Sequence, residues 1–443
     1  MLGPSGSNNR GEVDVKAGEE ISKQATFSSD TDLDTTQTEP LIEIHPSNSD
    51  IFVNSNTMGG MCDYKYLSEE QMKGFDTYKY SCIDNSPLSL YISHPFWNWL
   101  VQFYPRSWAP NVLTLLGWGF VMGCFVFEGV LDYDISANFP GSPHPIPRWF
   151  WLVAALCTFL GHTLDGTDGK QARRIGASGP TGELFDHGLD SWSTVPFTIT
   201  IFSIFGRGTW SISSLELLCV LISTQVVFFT THWEKYNTGV MFLSWGYDAS
   251  QFGLMIVYTI AFIFGHSVFQ YKIADEYNLA FIMELGFYTC CFLSLVVSLY
   301  NVLRCTNLKQ PNLYEGCRPA IPVSTLFAVS IFWVLFSPTK VIERDPRMFY
   351  MAMGTVFSNI TCRLIIAQMS STKVEIYNTS LVLYAATVAL SLYFPHYELS
   401  LLRLSTVAIV LLHVHYGICV VRQMCAHFKI HALDVSYLAA KKT

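Results

Sequence analysis

The feature that most constrains this chain is a polar stretch at residues 165–190, enclosed by two apolar runs. The stretch reads DGTDGKQARRIGASGPTGELFDHGLD, and the segments 150–164 before it and 192–205 after it are mostly hydrophobic. It contains four aspartates: Asp165, Asp168, Asp186 and Asp190. Because long apolar runs of this kind form membrane helices, we expect the four carboxylates to be carried on membrane helices.

The composition is that of an integral membrane protein. Half of the 443 residues are apolar and only 14% are charged, whereas soluble domains carry about 25% charged residues. The formal net charge of -8 comes mostly from residues 1–60, which hold ten acidic and three basic residues. The remainder has 24 basic and 25 acidic residues. This nearly neutral balance gives no support for a nucleic-acid partner.

Composition also divides the chain into four segments. Residues 1–60 are acidic, poor in aromatics and predicted to be a disordered N-terminal tail. Residues 61–107 form a cytosolic or interfacial segment, in which the aromatic run 94–104 suits a helix lying in the headgroup plane. We expect a polytopic membrane catalytic domain at residues 108–425 and a cytosolic C-terminal tail at residues 426–443.

Ten hydrophobic segments have the length of about 20 residues that crosses a hydrocarbon core of about 30 Å. They lie near residues 111–131, 148–168, 186–206, 212–232, 249–269, 279–303, 319–338, 347–369, 375–394 and 399–421. The predicted fold class is therefore an all-α integral membrane protein with about ten transmembrane helices and an N-terminal interfacial helix.

The distribution of basic residues predicts the orientation of these helices. Lys170, Arg173 and Arg174, the loop 304–318 and the C-terminal tail all fall on one side, whereas the opposite loop, 132–147, has no Lys or Arg. The loop that contains Lys340, Arg344 and Arg347 is an exception on the far side. We expect both termini and the aspartate-rich stretch to face the cytosol.

The spacing of the aspartates predicts a metal site between two helices. Residues three or four apart share a helical face, so Asp165 and Asp168 form one pair and Asp186 and Asp190 form another. A short glycine-containing connection makes the helices antiparallel neighbours, and four carboxylates then converge. Ionised aspartates inside a bilayer are costly, and oxygen-only ligands favour Mg²⁺ or Mn²⁺ as the neutralising ion.

The surroundings of the aspartates favour phosphoryl transfer as the chemistry. Gly169, Ala172 and Gly182 leave room for a bulky ligand near the backbone, and Arg173 can donate a pair of hydrogen bonds to phosphate. Bound divalent cations would neutralise the transferring group. On spacing alone, an ion or proton pathway through the membrane remains an alternative use of such carboxylates.

The complete pattern is D-x2-D-G-x2-A-R-x8-G-x3-D-x3-D. It is matched by Asp165, Asp168, Gly169, Ala172, Arg173, Gly182, Asp186 and Asp190. This is the signature of the CDP-alcohol phosphatidyltransferase family, which the chain resembles. The segments 94–98, 182–188 and 232–239 are also similar to the eukaryotic ethanolaminephosphotransferase branch, and the resemblance covers about residues 64–430.

The resemblance implies a function, a fold and partners. Members of this branch make phosphatidylethanolamine from CDP-ethanolamine and diacylglycerol and release CMP. They use two Mg²⁺ or Mn²⁺ ions and are ten-helix homodimers in the endoplasmic reticulum or Golgi membrane. We therefore expect the CDP-alcohol phosphatidyltransferase fold here, with CDP-ethanolamine, diacylglycerol and membrane lipid as partners.

The resemblance also implies roles for individual residues. The metal ligands are expected to be Asp165, Asp168, Asp186 and Asp190, and the CDP-alcohol contacts Asn111, Gly169, Ala172, Arg173 and Gly182. His187 resembles the catalytic base that takes the proton of the diacylglycerol hydroxyl, a task that suits a neutral imidazole. Two alternatives stay open: His187 is a helix-packing residue that donates to Asp186 or Asp190, or Asp190 is the base.

The headgroup contacts are predicted near the end of the fourth membrane helix. A carboxylate at Glu234 could meet the ammonium of ethanolamine, and Trp233 could stack on it. Interfacial anchoring of Trp233 and a solvated pair of Glu234 with Lys235 are the alternatives. For the whole protein, a dual choline/ethanolamine enzyme and a catalytically silent lipid-binding or transport protein remain alternative functions.

Overall fold

The structure is a computed structural model that describes residues 63–139, 141–243, 245–274 and 277–440. The predicted tail at residues 1–60 lies outside the described residues. The first half of the described chain contains the helices α1 (Glu69–Phe75), α2 (His94–Leu100), α3 (Pro110–Leu131), α4 (Arg148–Ile175), α5 (Pro180–Phe202), α6 (Ser214–Thr238), α7 (Gly246–Phe264) and α8 (Leu279–Arg304). The second half contains α9 (Leu313–Cys317), α10 (Ala320–Phe336), α11 (Val341–Arg344), α12 (Pro346–Ser370), α13 (Thr379–Tyr393), α14 (Glu398–Phe428) and α15 (Tyr437–Ala440).

The predicted all-α membrane fold is confirmed, because each of the ten predicted spans corresponds to a helix of at least 15 residues. Six helices are long and apolar enough to cross a membrane, namely α3, α6, α7, α8, α12 and the one that includes α14. The helices α10 and α13 are apolar but shorter. The remaining two, α4 and α5, carry the aspartate-rich stretch, which lowers their mean hydropathy.

The helices α4 and α5 extend further than the apolar runs predict. The helix α4 was expected to end near residue 168 but continues to Ile175, and α5 begins at Pro180 rather than near residue 186. A span estimated from hydrocarbon thickness stops where the apolar side chains stop, whereas the backbone hydrogen bonds continue into polar residues. Gly176 ends α4 with a left-handed φ of 75°, and Pro180 occupies the first turn of α5.

The helix α12 forms the centre of the bundle. In the most apolar 18-residue stretch of this helix, 89% of the residues are buried. The helix packs against α5, α6 and α14. The contacts are made by residues on several faces of the helix, including Phe349, Val356 and Met369, all fully buried. Because α5 packs against this central helix, the aspartates it carries are held on a rigid support.

The N-terminal segment forms the predicted short aromatic helix. The helix α2 is preceded by a helical turn at Ser89–Ser93 and followed by another at Val101–Phe103. Tyr91, Trp99 and Phe103 are largely exposed, as expected of a helix whose outer face meets the headgroup region. On the opposite face Trp97 is buried, and its ring packs directly against Gly166. A Cβ atom at position 166 would lie only 2.4 Å from that ring. Gly166 is therefore required for this close approach.

Two short strands join the N-terminal segment to the bundle. Strand β1 (Cys82–Ile83) pairs in parallel with β2 (Met241–Phe242), and Cys82 is in register with Met241. A second pair, β3 (Lys272–Ala274) with β4 (Tyr277–Asn278), is antiparallel. The first pair matters for the site, because it fixes the chain just after Tyr80 beside the end of α6.

An ion-pair network at the opposite end of α3 accounts for one of the three basic residues in the exceptional loop. Arg347 is buried, and its Nη2 lies 2.8 Å from Oε1 of the fully buried Glu128. Asp345 pairs with Arg403 at 2.6 Å. Since Arg347 is neutralised within the bundle, it does not act as a loop charge, and the orientation predicted from the other loops is not weakened by it.

Candidate active site

Three of the four predicted metal ligands meet between α4 and α5. One carboxylate oxygen each from Asp165, Asp168 and Asp186 lies within 4.8 Å of the other two. Oδ1 of Asp186 is buried and has no hydrogen-bond partner among the described residues. Carboxylates held this closely repel one another, and a divalent cation with oxygen ligands removes that repulsion. The donor set therefore fits Mg²⁺ or Mn²⁺.

Asp190 lies one helical turn beyond Asp186 on α5 and is not part of this close group. It lines, together with Asp165, an adjacent cavity of about 30 Å³. His162 and Tyr247 are on the same cavity wall. The two predicted pairs therefore share one site, but Asp190 extends it toward the interior of the bundle instead of completing a four-oxygen cluster.

Two hydroxyl groups from other helices hold the carboxylates in place. Tyr247 on α7 donates a hydrogen bond of 3.0 Å to Oδ2 of Asp165. Thr114 on α3 donates a short hydrogen bond to Oδ2 of Asp168. Sequence reasoning missed both, although Thr114 comes one turn after the predicted contact Asn111 on a largely apolar helix. These donors orient the oxygens without supplying a positive charge.

The predicted nucleotide contacts lie around an open face of α4 and α5. A Cβ at Gly182 would be 3.6 Å from Oδ1 of Asn111, and a Cβ at Gly169 would be 3.4 Å from Nη1 of Arg173. The structure thus brings both polar side chains beside the two glycines. Nδ2 of Asn111 donates a hydrogen bond of 2.9 Å to the carbonyl of Ala432. The C-terminal segment therefore contacts this face as well.

The adjacent arginines of α4 have different roles. Arg173 is exposed at the glycine face, and no ion pair of Arg173 is present in the described part of the chain. Arg174 instead donates to the carbonyls of Val101, Gln102 and Tyr104 at distances of 2.7–3.1 Å. Arg174 therefore anchors the interfacial segment to the site helix, and Arg173 remains the candidate for phosphate. Ala172 accepts a hydrogen bond from the backbone of the turn that follows α4.

His187 lies on α5 beside the aspartates and faces α6. Its ring makes an edge contact with His232, with a centroid distance of 5.1 Å. Nδ1 of His232 is 3.4 Å from Nε2 of Gln368, which gives a row of three polar side chains. Among the hydrogen bonds of the described residues, none joins His187 to Asp186 or Asp190. The alternative role of His187, as a packing residue that donates a hydrogen bond to one of those aspartates, is therefore not supported by a hydrogen bond in the described residues.

A buried charged cluster lies one turn before His187 and was missed by sequence reasoning. Glu183 accepts a hydrogen bond of 2.5 Å from the Tyr78 hydroxyl and lies 2.5 Å from Nζ of Lys235. Burial and the neighbouring Glu183 carboxylate raise the pKa of Tyr78 above its ordinary value. The one sequence signal for this cluster is that Glu183 comes shortly before Asp186 and His187 on the same helix. The residues that contact Glu183 come from distant segments of the chain.

The two predicted headgroup residues are engaged elsewhere on α6. Nε1 of Trp233 donates to the Gly316 carbonyl at 2.7 Å, and Oε1 of Glu234 accepts from Asn301 at 2.7 Å. Within the described chain, no hydrogen bond or ion pair connects either residue with the aspartates. Their headgroup role stays a prediction. The residues beside them on α6 that contact the site helix α5 are His232, against His187, and Lys235, against Glu183.

Comparison with known proteins identifies the family. The profile of the CDP-alcohol phosphatidyltransferase family matches residues 107–283, which contain both site helices. The chain is also 43% identical over 386 residues to Ethanolaminephosphotransferase 1 of Homo sapiens, which is 85% of this chain and 96% of that protein. The chain belongs to the CDP-alcohol phosphatidyltransferase family. The resemblance inferred from the aspartate signature is thereby confirmed.

Other relatives in this family differ in the headgroup that their names specify. Cholinephosphotransferase 1 of Homo sapiens is 31% identical over 321 residues, covering 70% of this chain and 75% of that protein. Choline/ethanolaminephosphotransferase 2 of Arabidopsis thaliana is 28% identical over 320 residues, covering 69% and 79%. The protein is accordingly an enzyme of the CDP-alcohol phosphotransferase class, embedded in a membrane, that uses a CDP-alcohol and a lipid acceptor.

Proposed function

We propose that this protein is an ethanolaminephosphotransferase. It transfers phosphoethanolamine from CDP-ethanolamine to the hydroxyl of diacylglycerol, giving phosphatidylethanolamine and CMP. The observation that carries this proposal is the group of three carboxylate oxygens within 4.8 Å of one another, in a chain that is 43% identical to human Ethanolaminephosphotransferase 1. This is the last step of the CDP-ethanolamine route to the phospholipid.

The open face of α4 and α5 is the proposed site of the nucleotide. The cytidine diphosphate lies over Gly169, Ala172 and Gly182, where only hydrogens project from the two glycines. Asn111 and Arg173 contact the diphosphate, and the positions of Oδ1 of Asn111 and Nη1 of Arg173 next to these glycines support this assignment. A guanidinium suits that role because it can donate two parallel hydrogen bonds to phosphate oxygens.

Two Mg²⁺ or Mn²⁺ ions are proposed to be held by Asp165, Asp168, Asp186 and Asp190. When bound, they offset the charge of the carboxylates and of the diphosphate. The unpartnered Oδ1 of Asp186 supports this assignment, because a buried carboxylate oxygen without a donor is costly unless a ligand completes it. Tyr247 and Thr114 keep the ligand oxygens of α4 in one orientation.

His187 is the proposed general base. An imidazole nitrogen takes the proton of the diacylglycerol hydroxyl, and that oxygen attacks the β-phosphorus while the bond from phosphorus to the CMP oxygen breaks. CMP leaves with the electron pair of that bond, and the proton remains on His187 until it passes to solvent. The position of His187 next to Asp186, and its contact with His232, support this role over that of Asp190.

The proposed setting is the endoplasmic reticulum or Golgi membrane, with the active site and both termini facing the cytosol. The orientation is supported by the basic loops on the side of the aspartates and by the internal pairing of Arg347 with Glu128. The organelle and a homodimeric state follow from the family resemblance. Protease protection of sealed microsomes, with a cleavage site inserted into the loop 304–318, tests the orientation.

A direct assay tests the proposed function. Protein purified in detergent receives diacylglycerol and an equimolar mixture of CDP-ethanolamine and CDP-choline, each with a distinct radiolabel. The proposal expects metal-dependent formation of phosphatidylethanolamine with a clear excess over phosphatidylcholine. Comparable kcat/KM for the two donors would replace it with the dual choline/ethanolamine enzyme, the second candidate, which the similarity to the Arabidopsis thaliana relative favours.

A catalytically silent lipid-binding or transport protein is the remaining alternative. The intact group of carboxylates speaks against it, because a protein without the reaction gains nothing from keeping several repelling charges in its interior. The absence of metal-dependent CMP release from folded protein in the same assay would favour that alternative.

A further inference from the structure

The buried cluster before His187 has the composition of a site for an organic cation. The rings of the half-buried Tyr78 and of Tyr80, which is 41% exposed, lie with the carboxylate of the buried Glu183 around one position. We call these three residues the ammonium cage. Aromatic faces together with a carboxylate are the chemistry by which proteins recognise ammonium groups. In this structure the cage is filled by the chain's own primary ammonium, that of Lys235.

The distances show that Lys235 occupies the cage closely. Its Nζ lies 2.5 Å from Oε1 of Glu183, 4.6 Å from the ring centroid of Tyr80 and 5.4 Å from that of Tyr78. Lys235 is 3% exposed and Glu183 is 8% exposed. A lysine is rarely buried to this degree unless it is paired, so this one has a specific position rather than a solvated surface role.

Backbone structure holds the cage together. The parallel pair β1 and β2 begins immediately after Tyr80, where Met241 donates a backbone hydrogen bond of 3.0 Å to the Ser81 carbonyl. Lys235 lies in the last turn of α6, which ends at Gly239 with a left-handed φ of 82°. The chain can therefore turn at once from the cage lysine into the strand that fixes the cage tyrosines.

The cage adjoins the position of the reacting phosphate. Glu183 precedes Asp186 by three residues and His187 by four on α5, so the three side chains lie on one side of the helix. In a CDP-alcohol the headgroup is esterified to the phosphorus that is attacked, and its ammonium must therefore lie close to these residues.

We propose that Lys235 is a specificity-determining residue that closes the ammonium cage against quaternary ammonium headgroups. This inference rests on the proposed function. A trimethylammonium group has no N–H and depends on open aromatic faces, which Lys235 covers. A primary ammonium is smaller and needs hydrogen-bond acceptors. Oε1 of Gln368, beside His232, is buried without a partner in the described part of the chain and can serve as one.

The test compares variants that empty the cage with variants that keep it filled. Lys235→Ala empties it, and Lys235→Met keeps an unbranched side chain of similar length without the charge. The ratio of kcat/KM for CDP-choline to that for CDP-ethanolamine is expected to rise about tenfold or more in Lys235→Ala and to stay near the wild-type value in Lys235→Met. Lys373→Ala is the matched control, since Lys373 also pairs with a glutamate but on the surface, 3.1 Å from Glu315.

The double variant Glu183→Gln with Lys235→Ala covers the case in which Lys235→Ala does not fold because Glu183 is left unpaired. It removes both charges, keeps the cage rings, and is expected to accept CDP-choline better than the wild type. A wild-type ratio in folded Lys235→Ala or in the double variant would overturn the inference. An equal increase of this ratio in Lys235→Ala and Lys235→Met would also overturn the inference. The headgroup preference would then depend on the charge of Lys235 and not on whether its side chain fills the cage.

The two proposals fail in different ways. A wild-type enzyme that uses both donors equally contradicts the proposed ethanolamine function, whatever the variants do. A wild-type enzyme that prefers CDP-ethanolamine, together with an unchanged ratio in Lys235→Ala, leaves the function standing and removes only the role of Lys235.

Discussion

Two acidic sites in this bundle, Glu128 and the aspartate site, differ in what surrounds their carboxylates. At one end of α3, Glu128 accepts hydrogen bonds from Arg347 at 2.8 Å and from Thr200 at 2.8 Å, and also one from Ser203. At the aspartate site, three carboxylate oxygens lie within 4.8 Å of one another, and no ion pair to any of these aspartates exists among the described residues. The first carboxylate has a cation supplied by the chain, and we propose that the second group is neutralised by a cation from solution.

This contrast separates a structural carboxylate from a functional one. A buried charge that serves only the fold is most stable when the chain supplies the counter-charge and every lone pair has a donor. A site for a charged substrate must keep its ligand oxygens available, so it accepts donors that orient without neutralising, such as Thr114 and Tyr247. Substitutions in the two groups should therefore change different properties of the protein.

The largest effect is expected from Asp186→Asn. It removes a proposed metal ligand whose Oδ1 has no hydrogen-bond partner in the described part of the chain. CMP release should fall by at least about a thousandfold, the upper part of the range for the loss of one electrostatic contact to the transition state. The variant should unfold at the same or a higher temperature than the wild type in the absence of metal, because one repelling charge is gone. Turnover near the wild-type rate would refute the assignment of the site.

A slightly smaller loss is expected from His187→Ala. We expect kcat to fall about a hundredfold to a thousandfold, the lower part of the range for removal of a general base. KM for CDP-ethanolamine should change little, since the base acts on the acceptor hydroxyl. Steady-state kinetics with both substrates varied measure this split. If kcat were retained and only KM rose, His187 would be a binding residue and Asp190 would become the candidate base.

Arg347→Ala should change stability and leave the metal dependence of the reaction intact. Leaving Glu128 buried without its partner costs about 3–5 kcal/mol in the free energy of unfolding, which thermal unfolding in detergent would detect. The double variant Glu128→Gln with Arg347→Met removes both charges and should recover much of that loss. Equal destabilisation by the single and double variants would contradict the ion-pair explanation.

The smallest effect in this set is expected from Thr114→Val. Loss of the hydrogen bond to Asp168 frees the carboxylate to rotate, and the apparent metal affinity should fall about ten- to a hundredfold, as it does when the residues that orient metal ligands are removed. Thr198→Val is the matched control, because within the described ranges the Thr198 hydroxyl bonds only to the Thr194 carbonyl of its own helix, at 2.8 Å. A metal titration of activity that is identical in the two variants would remove Thr114 from the site.

The parts of the fold that follow from local sequence were predictable. The apolar runs predicted the ten long or apolar helices of the bundle, and the spacing of Asp165, Asp168 and Asp186 predicted that three carboxylates would meet between two helices. The ends of α4 and α5 were missed, because the length of an apolar run indicates where the hydrocarbon region ends. It does not indicate where the helical hydrogen bonds of the backbone end. Arg173 and Arg174 are adjacent and chemically identical, so the sequence cannot distinguish their roles. The structure distinguishes them, because Arg174 donates to the Val101 carbonyl and its neighbours.

The rest of the site depends on contacts between distant segments. Glu183 and Lys235 are 52 positions apart, and Tyr78 reaches the same point through the strand pair, so no local pattern links them. The headgroup prediction identified the segment that contains Trp233 and Glu234, but which of its residues faces α5 depends on the rotation of α6. That rotation is set by packing against the central helix α12.

The central claim is that the aspartate site binds a divalent cation that the chain itself does not replace. Thermal unfolding of the purified protein with increasing Mg²⁺ or Mn²⁺ tests it without relying on turnover. The wild type should be stabilised by about 2.7 kcal/mol at a concentration one hundred times Kd, and so should the Glu128→Gln, Arg347→Met double variant. Asp186→Asn should not be stabilised. Equal stabilisation of Asp186→Asn and the wild type, or no stabilisation of the wild type, would contradict the account.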